Sequence, residues 1–144
     1  MISQTTEYAL RAMVALAGQP DKPMVTRDLA DATKVPMGYL SKVLQALGRV
    51  GLVQSHRGLG GGFLLARPPE EITLYDVVQA VDPIQRIRTC PLGLQAHGVR
   101  LCPLHRRLDN AMRMVEDAFR ESTLAEILAE PSRSKPLCNI ATDR

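Results

Sequence analysis

Val25–Arg67 reads VTRDLADATKVPMGYLSKVLQALGRVGLVQSHRGLGGGFLLAR, and its reading decides the fold. Thr26 is placed to cap a first helix, because its hydroxyl can accept from a free backbone N–H in the first turn. Leu29, Ala30 and Ala32 give that helix an apolar side. Pro36 then breaks the pattern, since the residue before a proline is pushed from helical angles. Tyr39, Leu40, Val43, Leu44 and Leu47 recur at helical spacing and predict the buried face of a second helix. Gly51 is placed to end it as a left-handed cap. Two helices joined by a tight turn predict a helix-turn-helix.

Two short strands follow, expected at Leu52–Ser55 and Phe63–Ala66. Between them lies His56-Arg57-Gly58-Leu59-Gly60-Gly61-Gly62. Glycines allow positive φ and leave backbone uncovered. Arg57 at the tip suits a DNA minor groove, whose negative potential attracts guanidinium. A flexible surface hairpin and a phosphate cradle are the competing readings. The cradle needs a strand–glycine loop–helix order and a closing Lys-Ser/Thr pair, which are missing. Helix, helix and Arg-bearing hairpin predict a mainly α fold with a small β-hairpin wing, a winged helix.

The rest of the chain extends this unit. Ile2–Gly18 predicts a helix with Ala9, Leu10, Met13, Val14, Leu16 and Ala17 on a broad apolar side. Thr73 is placed to cap a helix running to about Val81, with Leu74, Val77, Val78 and Val81 on one side. Residues 84–101 have no helical or strand period, and a long loop in a small chain is often functional. From Pro103, Leu104, Leu108, Ala111, Met112, Val115, Ala118 and Phe119 form one helical stripe. Arg106, Arg107, Asp109, Asn110, Arg113, Glu116, Asp117 and Arg120 are expected on the other side. Such a stripe packs on its own domain or in a twofold dimer. Leu124–Ala129 predicts a last short helix. The expected division is 1–83 as winged helix-turn-helix, 84–102 as a loop, 103–130 as helices and 131–144 as tail.

With 144 residues and 45% hydrophobic composition, the chain can bury one core; aromatics at 3% make that core aliphatic. Residues 1–67 carry eight Lys/Arg against four acids, or +4, and residues 68–144 carry ten against eleven, or −1. The positive charge thus sits with the helix-turn-helix and wing, where phosphate would be. No catalytic triad, nucleotide loop or carboxylate pair stands out, so an enzyme is not expected. No signal-peptide pattern opens the chain and no apolar run approaches a membrane span, so a cytoplasmic location is expected. Three cysteines in that setting suggest free thiols or metal ligands.

MISQTTEYALRAMVALA, VPMGYLSKVLQALGRVGLV and RGLGGGFLLARPPEEITLYDVVQAVD together resemble the IscR/NsrR-type transcriptional regulators. The wing phrase RG-x-GGG-aromatic-x-L followed by P-x-x-I-T is specific in combination, and the resemblance leaves only the tail after about Pro131. It implies a homodimeric repressor or activator binding an imperfect palindrome in double-stranded DNA, with no membrane partner, 84–102 as its sensor loop and 103–130 as its dimerisation helices. Thr26, Arg27, Gly38, Tyr39, Ser41, Lys42, Arg57 and Gly58 are the expected DNA-binding residues. The family often has a glutamate where Ser41 stands. Many members carry an iron–sulfur cluster, of which the 2Fe-2S kind is expected here.

In that resemblance Cys90, Cys102 and His105 match the first cysteine, the last cysteine and the histidine of the cluster loop. Ala96 replaces the middle cysteine. Glu7 matches the place from which some NsrR-like relatives supply a carboxylate across the dimer. His97, or a bound water, is another way to complete the set. Thiolate and imidazole suit iron–sulfur or zinc, and histidine ligation raises a cluster's potential. Two alternatives stay open: a thiol switch through Cys90 and Cys102, and a regulator or partner-binding adaptor without a sensor. Cys138 is read as incidental.

Overall fold

The computed structural model describes residues 2–95 and 100–137. The expectations for Ala96, His97 and Cys138 lie outside them. Helix α1 (Gln4–Ala17) starts at Ser3, whose hydroxyl accepts from the Thr6 N–H at 3.1 Å. Ala9, Ala12, Met13, Leu16 and Ala17 are buried, while Leu10 and Val14 flank the core half-buried.

Helix α2 (Thr26–Thr33) corrects one expectation. Val25, not Thr26, occupies the cap position, and no side chain caps the helix. The cause lies one residue earlier. Met24 and Phe63 exchange backbone hydrogen bonds of 3.0 and 2.8 Å, so the chain stays extended through Val25. Leu29 and Ala30 are buried as expected, but Thr33 rather than Ala32 completes that side, its hydroxyl donating to the Leu29 carbonyl at 2.7 Å.

Helix α3 (Met37–Arg49) buries Leu40, Val43, Leu44 and Leu47. Tyr39 does not join them: it is 51% exposed, with its ring edge-on to Tyr8 of α1 at 5.8 Å. A phenol favours a position where its ring packs and its hydroxyl stays wet. The helix ends in a Schellman motif. Gly51 has φ +78°, and the Leu52 and Gly51 N–H groups donate to Leu47 and Gly48 at 3.0 and 3.1 Å.

The strands β1 (Val53–His56) and β2 (Gly62–Leu65) are antiparallel, with Val53 opposite Leu65 and His56 opposite Gly62. The pair begins one residue later than expected at β1 because Leu52's N–H closes α3. Leu52 still accepts from Ala66 at 2.9 Å, just beyond the ladder. A 3₁₀ turn (Pro69–Glu71) leads to α4 (Leu74–Val81), which Thr73 and Asp76 open with a reciprocal capping box of 3.0 and 3.1 Å. Val77 and Val78 of α4 are buried.

Helix α5 (Pro103–Arg120) buries only Glu116. Its apolar stripe is only partly covered in the chain: Leu104 is 61% and Leu108 45% exposed and Ala111 and Ala118 are exposed too, while Met112, Val115 and Phe119 are half-buried. The chain then turns back, and Leu74 donates to Ser122 while Leu124 donates to Ile72, each at 2.9 Å. That return seats α6 (Leu124–Ala129), and fully buried Leu124 joins the core of α1, α2, α3, Ile72 and Val77. The fold is mainly helical with a two-stranded wing. Removing the capping box should be felt across this return: Thr73→Ala is expected to lower stability by about 1 kcal/mol in urea unfolding.

Candidate nucleic-acid interface and cysteine segment

Helix α3 turns one side to the core and leaves Gly38, Ser41 and Lys42 exposed on the other. Ser41, Lys42 and Gln45 face Gln54, Ser55 and Phe63 of the wing strands across an open groove of ≈ 660 Å³. The structure thus brings the α3 positions and the wing to one surface. Gln45 and Gln54 were not among the expected site residues. Gln45 could have been found, because it follows Ser41 by one helical turn. Gln54 needed the strand register.

Thr26 is half-buried in the first turn of α2 and Arg27 beside it is exposed. Arg57 and Gly58 sit exposed on the wing, where Gly58 has φ +94°. Among the described residues no carboxylate forms a salt bridge with Arg27, Lys42 or Arg57. All three cations lie on exposed positions.

Glu7 lies on α1 and holds Arg11, one turn on, at 3.1 Å. Arg11 also donates to the Thr33 carbonyl at 3.3 Å and lies 5.5 Å from the Tyr8 ring centre. Cys102 occupies the cap position of α5, with its Sγ 3.4 Å from His105 Nδ1. Cys90 is buried, and both thiols are free. Soft thiolate and imidazole donors suit iron–sulfur or zinc in kind, and the Cys102–His105 pair is in place. Within one chain, among the described residues, no three His, Cys, Asp or Glu side chains come together as a metal site.

A different group fastens this segment. Arg86 grips both oxygens of Asp109 at 2.8 Å and Glu116 at 2.9 Å. The Ile87 N–H adds a bond to Asp109 at 2.9 Å. The side chains of Arg86, Asp109 and Glu116 are only 20, 16 and 7% exposed. Asp109 and Glu116 therefore do not lie on an outer polar face as expected. They are seven residues apart, two turns of one helix, and that spacing was the available signal. The Arg86 guanidinium holds the Asp109 carboxyl down at about 2 against the opposing cost of burial, with the Ile87 N–H assisting. Asp109 and Glu116 in turn raise the Arg86 pKa further.

The pH consequence has a definite sign. Asp109's folded pKa lies below its ordinary 3.8, so its contribution is complete above that value and is lost as pH falls through about 2. Arg86→Met should flatten this dependence and destabilise the fold at neutral pH by leaving two poorly hydrated carboxylates without their cation. Thermal melting of both proteins from pH 7 to 2 measures it. Parallel curves would contradict the clamp.

A family model named Rrf2, iron-dependent transcriptional regulator, matches residues 2–130. A protein of Mycobacterium tuberculosis named as an HTH-type transcriptional regulator is 40% identical over 131 residues, spanning 88% of this chain and 80% of the relative. The HTH-type regulator NsrR of Bacillus licheniformis is 27% identical over 139 residues, spanning 94% and 97%. Among solved structures, CymR, the global cysteine regulator of B. subtilis, superposes with a TM-score of 0.75 at 23% identity, covering 92% of this chain and 98% of its own. IscR of T. potens does so with a TM-score of 0.75 at 22% identity, covering 93% of each. These are regulators of transcription, not enzymes. The chain belongs to the Rrf2 family of winged-helix transcriptional regulators.

Proposed function

We propose that this regulator binds an imperfect palindrome in double-stranded DNA as a homodimer and acts as a repressor in the cytoplasm. The observation that carries the reading is the shared surface of α3 and wing, with no salt bridge to Lys42 or Arg57 among the described residues. In this reading α3 enters the major groove. Tyr39 and Ser41 bond phosphate or base edges, and Lys42 reaches phosphate or guanine. Thr26, Arg27 and Gly38 lie against the backbone, and Arg57 enters the minor groove with Gly58 giving it room. Gln45 joins the base readers, since a glutamine amide can pair with adenine. The dimer forms through the exposed part of the α5 stripe, which sets the spacing of the two α3 helices against half-sites about one DNA turn apart.

The 84–102 segment is the proposed sensor. Cys90, Cys102 and His105 would hold a 2Fe-2S cluster, with Glu7 of the partner subunit as a further donor, and the bound cluster would supply a redox-active centre. Glu7 would have to leave Arg11 to serve in this way. The segment is tied to α5 by Arg86, so its ordering biases where α5 stands relative to the DNA-facing domain. A thiol switch is the second reading, favoured by two free cysteines in one segment.

Fluorescence anisotropy on a selected duplex should show salt-sensitive binding by the wild type, with Arg57→Ala weaker by about 1–3 kcal/mol. No salt-sensitive binding in any state of the protein would contradict the regulator reading and favour an adaptor. Protein purified without oxygen should contain iron and acid-labile sulfide and absorb in the visible. Protein that stays colourless after anaerobic reconstitution would reject the cluster, and a Cys90–Cys102 disulfide formed on oxidation would establish the thiol switch.

A further inference from the structure

We propose that Leu59 is an apolar wedge that enters the minor groove beside Arg57 and partly unstacks one base step. The proposal deepens the DNA-binding reading above and rests on it. Leu59 is 108% exposed, the most exposed large hydrophobic side chain among the described residues. Its position is built by the turn beneath it. The Gly61 N–H donates to the Gly58 carbonyl at 3.0 Å, closing a four-residue turn with Leu59 and Gly60 in the middle. Gly60 has φ +74° and Leu59 does not have a positive φ, which is the signature of a type II turn. Leu59 therefore stands at the outer corner, two residues from Arg57.

The support is stiff. A Cβ on Gly61 would lie 2.3 Å from the His56 carbonyl oxygen, so the two sides of the tip are in close contact. A Cβ on Gly62 would lie 2.5 Å from the Met24 backbone, where the wing is bonded to the start of α2 through Phe63. A tip braced in this way can transmit force to a base step instead of folding aside. Arg57 supplies the attraction that brings it to the groove, and a leucine is among the side chains that proteins insert between base steps to bend DNA. The contact would also supply specificity at a position without base hydrogen bonds, because flexible pyrimidine–purine steps cost least to open.

The test uses the full chain on a selected duplex labelled at both ends, reading affinity by anisotropy and bend by energy transfer. Wild type should bend the duplex by at least about 20°. Leu59→Ala should bind about tenfold more weakly, lose much of the bend, and keep the wild-type salt slope, because no phosphate contact is removed. Leu59→Phe should keep the bend. Thermal melting should be unchanged in both variants, since Leu59 touches nothing in the fold. Wild-type binding with an unchanged affinity or an unchanged bend in Leu59→Ala would overturn the wedge alone. Absence of wild-type binding would overturn the wedge together with the DNA-binding reading.

Discussion

The grip of Arg86 on Asp109 and Glu116 is the interaction on which the arrangement of this molecule depends. Helix α5 contributes a single buried residue, and that residue is part of the grip. At its other end α5 is held by the return of the chain, where Ser122 and Leu124 bond to the entry of α4. Arg120 lies 4.2 Å from the Tyr75 ring centre on α4 and adds to that end. Two fastenings thus fix the pitch of a helix that leaves Leu104, Leu108, Ala111 and Ala118 of its apolar stripe exposed. A half-buried guanidinium with two carboxylates is a demanding way to do this, because breaking one partner strands the others. It is also directional, since a bidentate pair fixes orientation as well as distance.

The proposed DNA-facing surface follows the opposite rule. Among the described residues Arg27, Lys42 and Arg57 form no salt bridge, and the wing backbone carries glycine where side chains would collide. Arg27, Lys42 and Arg57 keep their charge available to phosphate. The wing gains its firmness from Met24, which ties the hairpin to the helix-turn-helix rather than leaving it a free ribbon. That tie is also why Thr26 is not a cap: the same extended backbone that anchors the wing delays the start of α2. The acid-sensitive clamp and the cationic surface lie in different parts of the sequence, so each can be altered without touching the other.

Much of this was legible in the residues. Leu40, Val43, Leu44 and Leu47 specified the buried side of α3, and Thr73 specified the start of α4, although its partner Asp76 in the capping box was not anticipated. The glycines of the wing and the stripe of α5 were equally plain. Contacts between distant segments were not. Tyr39 reads as core by spacing, yet it meets Tyr8 at the surface. Asp109 and Glu116 read as solvent-facing, because nothing local reveals that Arg86, 23 and 30 residues earlier, comes to meet them. Local periodicity reports which side of an element is apolar; it does not report which charged residue will be covered. For the cysteine segment, the sequence supplied donors of the right chemistry, and the fold brings Cys102 and His105 together.

In the proposed dimer the exposed part of the α5 stripe joins two chains and so sets the distance between two DNA-reading helices. Leu104 and Leu108 test it well, because they are exposed in the single chain and their loss should leave its fold intact. Light scattering on the wild type and on a Leu104→Asp, Leu108→Asp double variant decides the matter. The account predicts twice the 15.8 kDa chain mass for the wild type and the single-chain mass for the folded variant, since the seam would have to bury two charges. A wild type at the single-chain mass, or a variant that remains a dimer, would contradict it.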